Sequence, residues 1–307
     1  MCTAVSLSHE NRHFFTRTLD LEYRFAETVT VMPRRYPLRF TDSTQTADHP
    51  ALLGMAYVKN DYPLYYDAMN EHGLCMAGLA FEGFCTYAPA EGTVGHRIAP
   101  WELIPYVLTR CRTVDEAKCL LQDAVLVDLP FCDALPNQPM HWMIANPTAC
   151  AVLETDGDGR LCIYDDPVGV LTNAPSFLAH LAHLGQYRHL TPHPKLDRDT
   201  GRLMRGMGAL GLPGDWSSPS RFVRAAFQRR YMRCHTAEEA FSLTDSVKVP
   251  RGVSLSADGR PIVTVYSAVM EPQRMAYYFR AEGDSAIRCV RPTALQLRGN
   301  TCYSMPL

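Results

Sequence analysis

The chain opens Met1-Cys2-Thr3-Ala4-Val5-Ser6-Leu7-Ser8-His9-Glu10-Asn11-Arg12-His13-Phe14-Phe15-Thr16-Arg17-Thr18-Leu19-Asp20. Thr3 to Ser8 alternates apolar and polar side chains, the two-residue period of a half-buried strand. His13 to Leu19 reads as a second strand, and the polar residues between them supply a turn. A hairpin turning near Glu10-Asn11 pairs residues whose numbers sum to about 21 to 23. Cys2 then lies opposite Leu19 to Leu21, with Asp20 in reach. Cys2 follows the initiator methionine, which is commonly removed before a small side chain. Removal gives Cys2 a thiol and a free α-amine on one residue, a nucleophile beside a base. An ordinary α-amine titrates near ~8 and a thiol near ~8.5. Arg17 can lower a thiol pKa, and Asp20 can orient an ammonium group. Residues three apart on a regular strand face opposite ways, so both reach Cys2 only if the strand bends. The plain alternative is an ordinary terminal cysteine with a solvated Arg–Asp pair at a strand end.

The composition is compatible with that chemistry. With 307 residues, 47% of them hydrophobic, the chain can bury a sizeable core, and we expect residues 1–307 to form one domain. A formal net charge of -2 implies neither a nucleic acid nor an anionic membrane as partner. No apolar run is long enough to span a bilayer, and no basic segment followed by an apolar one marks a signal peptide. The eleven cysteines contain no C-x-x-C pair. They read as reduced thiols of a cytoplasmic protein, mostly small buried hydrophobes.

Further strands are expected at Thr28 to Met32, Ala51 to Val58 and Leu74 to Phe81. Trp101, Ile104, Val107 and Leu108 have helical spacing within Ala99 to Cys111. Thr113-Val114-Asp115-Glu116 is a capping box opening a helix to about Asp123. Met140 to Asn146, Cys150 to Thr155, Leu161 to Tyr164 and Val168 to Leu171 read as short strands joined by turns such as Asp156-Gly157-Asp158-Gly159. Ser176 to Gln186 and Arg221 to Cys234 read as helices, and Thr236-Ala237-Glu238-Glu239 caps another. Residues 188–219 are irregular. Ile262 to Met270, Met275 to Phe279 and Ile287 to Val290 close the chain as strands. Strands bracketing paired helices suit a layered sandwich of the α+β class.

Other constellations carry less. His180, His183, His189 and His193 lie close together, but no Cys or carboxylate completes a metal spacing, so a histidine-rich surface is the better reading and no metal is expected. Asp156 to Gly159 lacks the later ligands of a calcium loop. Gly206-Met207-Gly208 follows an Arg-rich loop and not a strand, so it is no dinucleotide fingerprint. Arg229, Arg230 and Arg233 read as a solvated helix face. Asn173 ends the apolar run Val168 to Leu171 and precedes Pro175, where an amide can donate to an oxyanion or start a turn.

The opening Met-Cys-Thr followed by Arg17-Thr18-Leu19-Asp20 resembles the choloylglycine hydrolases, a family of bile salt hydrolases and penicillin V acylases. The resemblance continues in order through Gly54-Met55, Met69-Asn70-Glu71-His72-Gly73-Leu74, Ala77-Gly78-Leu79, His141-Trp142-Met143-Ile144, Gly169 to Pro175, and Leu212 to Trp216 leading to Ser220-Arg221-Phe222. Each motif alone is weak, but their joint order over nearly the whole chain is specific. The resemblance implies a four-layer αββα sandwich of two antiparallel sheets between helix layers. It implies that Cys2 is the nucleophile, that Arg17 and Arg221 polarise the site, and that Asp20 positions the amine. The Asn173 side chain and the backbone N–H of Ala80 would form the oxyanion hole. No cofactor is needed. Matching pocket loops are Leu19 to Phe25, Asn60 to Tyr66 and Leu129 to Leu135, offering Leu19, Phe25, Tyr65, Phe131 and Leu135 to the acyl group.

The sequence departs from the family at Ala80, where bile salt hydrolases often carry Asn and penicillin V acylases Tyr. A backbone contact survives that change, so substrate choice is what it affects. Residues 188–212 are somewhat shorter than usual in a loop that helps the family form tetramers. The favoured substrate is a glycine- or taurine-conjugated bile acid. Penicillin V and other N-acyl amides, such as acyl homoserine lactones, are the alternatives within the class. A non-catalytic binding protein on the same fold would need none of Cys2, Arg17, Asp20, Asn173 and Arg221.

Overall fold

The computed structural model describes residues 1–307. Cys2–His9 and Arg12–Leu21 form an antiparallel hairpin turning at Glu10-Asn11. Its register pairs Cys2 with Leu19, Ala4 with Arg17 and His9 with Arg12. Both strands are buried over most of their length, so their alternate side chains face two different cores and not core and water.

That hairpin lies within a six-stranded sheet. Its order is Val170–Leu171, Cys2–His9, Arg12–Leu21, Val263–Glu271, Ala276–Ala281 and Arg288–Val290. The second sheet has eight strands, in the order Leu161–Asp165, Cys150–Thr155, Met140–Ala145, Cys75–Ala80, Tyr62–Asn70, Leu52–Lys59, Thr28–Met32 and Tyr303–Pro306. All neighbours in both sheets are antiparallel. The helices are α1 (Leu103–Leu108), α2 (Val114–Leu121), α3 (Phe177–Leu184), α4 (Ser218–Tyr231), α5 (Ala237–Val247) and α6 (Ala294–Arg298). α1 packs on the second sheet, and α4 and α5 on the first. The result is the expected α+β sandwich of helix, sheet, sheet and helix layers.

Burial of apolar area drives these layers together at about 25 cal/mol per Å2. One core joins the two sheets through Cys2, Leu19, Met55, Leu79, Met143 and Tyr266. A second fills the space between the eight-stranded sheet and α1 and α2, with Leu52, Ile144, Leu103, Val107 and Leu121. A third packs Leu7 and Phe14 against Phe241 of α5. The helix starts follow their caps. Thr113 Oγ1 accepts from the Glu116 N–H, and the Glu116 carboxylate turns back to the N–H of Arg112. Thr236 and Glu239 close a full reciprocal box.

Two strands of the large sheets are not marked in the sequence pattern. Tyr303–Pro306 is an exposed edge strand, the position where a proline is tolerated. Tyr62–Asn70, whose first residues read as a loop, is a full central strand. It carries a β-bulge: Met55 pairs with Asp67 and Ala56 with Tyr65, leaving Tyr66 unpaired. A bulge shifts the side-chain alternation by one. Asp67 therefore faces the other sheet, while Tyr65 packs in the helix-side core with Met32 and Leu38.

Gly54 permits the close approach behind this bulge. A Cβ there would lie 2.0 Å from the Asp67 carbonyl oxygen and 2.6 Å from the Ala68 Cα. These are backbone atoms, so relief requires moving the Tyr62–Asn70 strand. Gly54→Ala should cost about 3 kcal/mol in urea unfolding, with a parallel fall in activity as Asp67 shifts. Unchanged stability would show that the close approach is not a constraint.

Candidate active site

Arg17 projects from the six-stranded sheet into the space between the sheets and is 1% exposed. Its Nη1 donates to the Tyr66 carbonyl at 2.8 Å and to Asp67 Oδ2 at 3.1 Å. Its Nη2 donates to the Gly78 carbonyl at 3.0 Å and to the Cys2 sulfur at 3.4 Å. Asp67 also accepts hydrogen bonds from the hydroxyls of Tyr266 and Tyr277. Burial opposes the Arg17 charge, but Tyr266, Cys2 and Asp67 outweigh it and raise its pKa, so the guanidinium stays charged.

Asp20 is fully buried on the same strand. Its Oδ1 accepts from Thr264 Oγ1 at 2.6 Å, and Thr18 Oγ1 lies 3.4 Å from its Oδ2. Burial pushes its carboxyl pKa up, against the pull of the terminal ammonium and Arg221. The pairing of this strand with Val263–Glu271 is itself irregular between Thr264 and Tyr266, next to Asp20 and Leu19. The Thr18–Asp20 contact shows that the strand alternation continues without the expected bend, so the Asp20 side chain lies on the face opposite Arg17. The Asp20 carbonyl accepts from the Met1 amine at 2.7 Å.

The Cys2 N–H donates to Asn173 Oδ1 at 2.7 Å. The same oxygen accepts from Arg221 Nη2 at 2.7 Å, and Asn173 Nδ2 donates to the Ala80 carbonyl at 2.8 Å. Arg221, from the first turn of α4, also reaches the Cys2 carbonyl and Thr3 Oγ1. Burial lowers its pKa, countered by Asp20 and Cys2. The Ala80 N–H lies on the same edge as its carbonyl. Phe81 N–H bonds to Pro139, so the antiparallel alternation turns both Ala80 groups away from the Met140–Ala145 strand.

The Asn173 backbone is clamped as well. Its N–H donates to Ser218 Oγ at 2.9 Å, and its carbonyl accepts from His180 Nε2 at 2.8 Å. His180 Nδ1 is buried without a partner. Burial drives this histidine down to about 4, which keeps it neutral with its proton on Nε2. His141 braces the preceding residue, its Nε2 lying 2.8 Å from the Thr172 carbonyl and its Nδ1 3.3 Å from Glu154 Oε1.

Cys2, Arg17, Asp20, Ala80, Asn173 and Arg221 are thus neighbours in one network. Of the acyl-pocket candidates, Leu19 is the cross-strand partner of Cys2 and shares its core. Phe25 tilts against Tyr23 in the exposed segment after the hairpin. Phe131 joins Tyr62 and Trp101 in an aromatic cluster, and the Leu135 N–H bonds to Cys132. Tyr65 is a correction. The bulge turns it to the helix side, and Tyr66 packs toward Cys2 in its place. The sequence reading also missed Asp67, Ser218 and His180. Asp67 left a signal, a lone carboxylate in an otherwise uncharged run from Tyr62 to Asn70, since a charge cannot be buried unpaired. Three side chains that could hold a metal, His9, Glu10 and His235, gather at the far tip of the hairpin, remote from Cys2. His180 is committed to Asn173 and does not gather with His183, His189 and His193.

The Arg17–Asp67 pair yields a test. Asp67→Asn preserves shape but leaves the buried guanidinium uncompensated, a loss of about 3–5 kcal/mol. Denaturant unfolding should show a drop of that order, and iodoacetamide should alkylate Cys2 at a changed rate as Arg17 shifts. Wild-type stability and alkylation in this variant would separate Asp67 from the site.

Comparison with known proteins places this geometry. Residues 2–304 match the model of the linear amide C–N hydrolases, choloylglycine hydrolase family. The chain is 39% identical over 319 residues to the bile salt hydrolase/transferase of Lactiplantibacillus plantarum, covering 100% of this chain and 97% of that protein. It is 31% identical to the bile salt hydrolase/transferase of Clostridium perfringens, covering 98% and 95%. The crystal structure of a single-residue variant of conjugated bile acid hydrolase from Clostridium perfringens superposes with a TM-score of 0.92 at 29% identity, over 100% of this chain and 97% of that one. Penicillin V acylase from Agrobacterium tumefaciens shares the fold, with a TM-score of 0.78 at 21% identity over 99% and 90%. The chain belongs to the choloylglycine hydrolase family of linear amide C–N hydrolases.

Proposed function

We propose that this enzyme hydrolyses the amide bond of glycine- or taurine-conjugated bile acids, with Cys2 as an N-terminal nucleophile. The observation that carries the reading is Cys2 itself: its sulfur lies 3.4 Å from a buried guanidinium, and its nitrogen 2.7 Å from the Asn173 amide oxygen. Relatives named as bile salt hydrolases, matched over 97% and 95% of their length, support the substrate class.

In this mechanism Met1 is removed, and the Cys2 nitrogen becomes an amine. That amine takes the thiol proton, and the thiolate attacks the amide carbonyl carbon. The oxyanion forms toward the Ala80 N–H and the second hydrogen of Asn173 Nδ2. Losing one such donor costs about 3–4 kcal/mol of barrier. The ammonium returns its proton to the leaving nitrogen as the C–N bond breaks, and glycine or taurine departs. Water then attacks the thioester, giving its proton to the amine, and the bile acid and the Cys2 thiol are released. Asp20 holds the ammonium state, Arg17 the thiolate, and Arg221 orients Asn173.

The surroundings of the site also bear on assembly and location. The hairpin of Lys195–Leu196 and Leu203–Met204, with the nearby Leu210, exposes Leu196, Leu203, Met204 and Leu210. Apolar side chains so displayed suit a contact between copies, so we read the enzyme as a homotetramer. Eleven free cysteines support a cytoplasmic protein. No helix is long and apolar enough to cross a membrane.

Two outcomes follow. Intact mass of the active enzyme should show loss of Met1, and Cys2→Ala should fold but not hydrolyse amides. Full activity with Met1 retained, or turnover by Cys2→Ala, removes the nucleophile assignment.

The second concerns the acyl group. Leu19 and Tyr66 offer apolar and aromatic area in the core that holds Cys2, and Ala80 contributes no ring to grip a small aromatic acyl group. A steroid buries far more apolar area than phenoxymethyl, at about 25 cal/mol per Å2. Conjugated bile acids should therefore be cleaved with higher kcat/KM than penicillin V on one preparation. Equal or better kcat/KM for penicillin V replaces the bile-salt reading with the acylase one.

A further inference from the structure

The hairpin strand that begins at Arg12 ends beside the nucleophile. Its other end enters a second charged site. Arg12 lies eight residues from Asp20, about 26 Å along a strand, and the Val263–Glu271 strand runs beside it to Glu271. There a cavity of about 850 Å3 opens between the sheet end and the first turn of α5.

Three guanidiniums meet in this cavity around one carboxylate. Glu271 is 3% exposed. Its Oε1 accepts from Arg12 Nη1 at 3.0 Å and lies 3.4 Å from Arg274 Nε. Its Oε2 accepts from the Tyr278 hydroxyl at 3.2 Å, which in turn accepts from Arg291 Nη2 at 2.9 Å. These contacts hold each arginine by one edge. The remaining guanidinium N–H groups have no protein acceptor, and the Arg12 and Arg274 side chains are 41% and 53% exposed. Glu238 on the rim is the one other carboxylate lining the cavity, and His235 faces it.

The charges do not balance within the protein. Three cations stand against the buried Glu271, leaving two positive charges at the cavity wall and one rim carboxylate in solvent. Thr236, Ala237 and Glu238 at the start of α5 line the cavity on its helix side. Guanidiniums anchored by one edge and open on the other are preorganised to grip a tetrahedral oxyanion in bidentate fashion. We propose that this cavity binds a phosphate-type polyanion of charge -2 or greater, at a site separate from the amide-hydrolysing centre.

The test uses the full-length enzyme and pyrophosphate as probe. Titration calorimetry at fixed ionic strength should give saturable one-site binding that weakens with added salt. Arg274→Gln and Arg291→Gln should each weaken binding about tenfold, the loss of one charge-assisted contact. The double variant should abolish it. Both arginines are remote from Cys2, so amide hydrolysis without pyrophosphate should stay at the wild-type rate, which also verifies folding. Absence of saturable binding by the wild type overturns the proposal. So does unchanged affinity in the double variant, which would place the anion elsewhere. Either result leaves the hydrolase reading untouched.

Discussion

A single buried guanidinium joins the two sheets. Arg17 leaves the six-stranded sheet and takes its acceptors from the eight-stranded one, at Tyr66, Asp67 and Gly78. Taking both charges of an Arg–Asp pair out of water costs several kcal/mol per ion. The Coulomb attraction offsets this only where the remaining donors and acceptors are satisfied. Tyr266 and Tyr277 complete the Asp67 oxygens, and two carbonyls and the sulfur of Cys2 take the outer donors of the Arg17 fork, leaving Nε alone without a partner. The thiol is therefore part of what satisfies the buried pair. Moving either sheet by the width of a hydrogen bond disturbs the nucleophile and the fold together.

The backbone irregularities serve that pair. Tyr66 is unpaired in the ladder, which frees its carbonyl for Arg17 and sets Asp67 facing inward. Gly54 gives the backbone room to come close on the opposite strand. The second irregularity, between Thr264 and Tyr266, lets two nearby residues serve different groups: Thr264 holds Asp20, and Tyr266 holds Asp67. An ideal ladder sends successive side chains to opposite faces at fixed intervals and would leave Asp67 on the same side as Tyr65, away from Arg17.

This division explains what the sequence discloses. The opening hairpin is legible because its turn and its alternation agree, and the observed pairing of Cys2 with Leu19 falls within the expected register. The capping residues Thr113 and Thr236 are legible because a cap is a local hydrogen bond. The Tyr62–Asn70 strand is not, since Pro63 and a run of tyrosines carry no clean period, and a bulge breaks whatever period remains. One inserted residue exchanges the faces of Tyr65 and Tyr66, so sequence spacing alone puts Tyr65 on the wrong side. Ser218 and His180 act on the backbone of Asn173 from segments far along the chain, and no local pattern marks such a contact. Cys2, Arg17 and Asp20 are legible from the terminal position and the hairpin register, whereas Ala80, Asn173 and Arg221 are reached through the joint order of motifs, because they share no spacing with the hairpin.

The orientation of one amide shows how the network directs chemistry. Asn173 can present either its oxygen or its nitrogen to Cys2. Arg221 has donors only and lies 2.7 Å away, so the oxygen must face it. The Cys2 nitrogen, donating to the same oxygen, agrees with that choice whether it is an amide or an amine. Nδ2 is then turned toward Ala80, where one hydrogen meets the carbonyl. A donor-only side chain on α4 thereby decides which end of the Asn173 amide meets the Cys2 nitrogen and which end meets the Ala80 carbonyl.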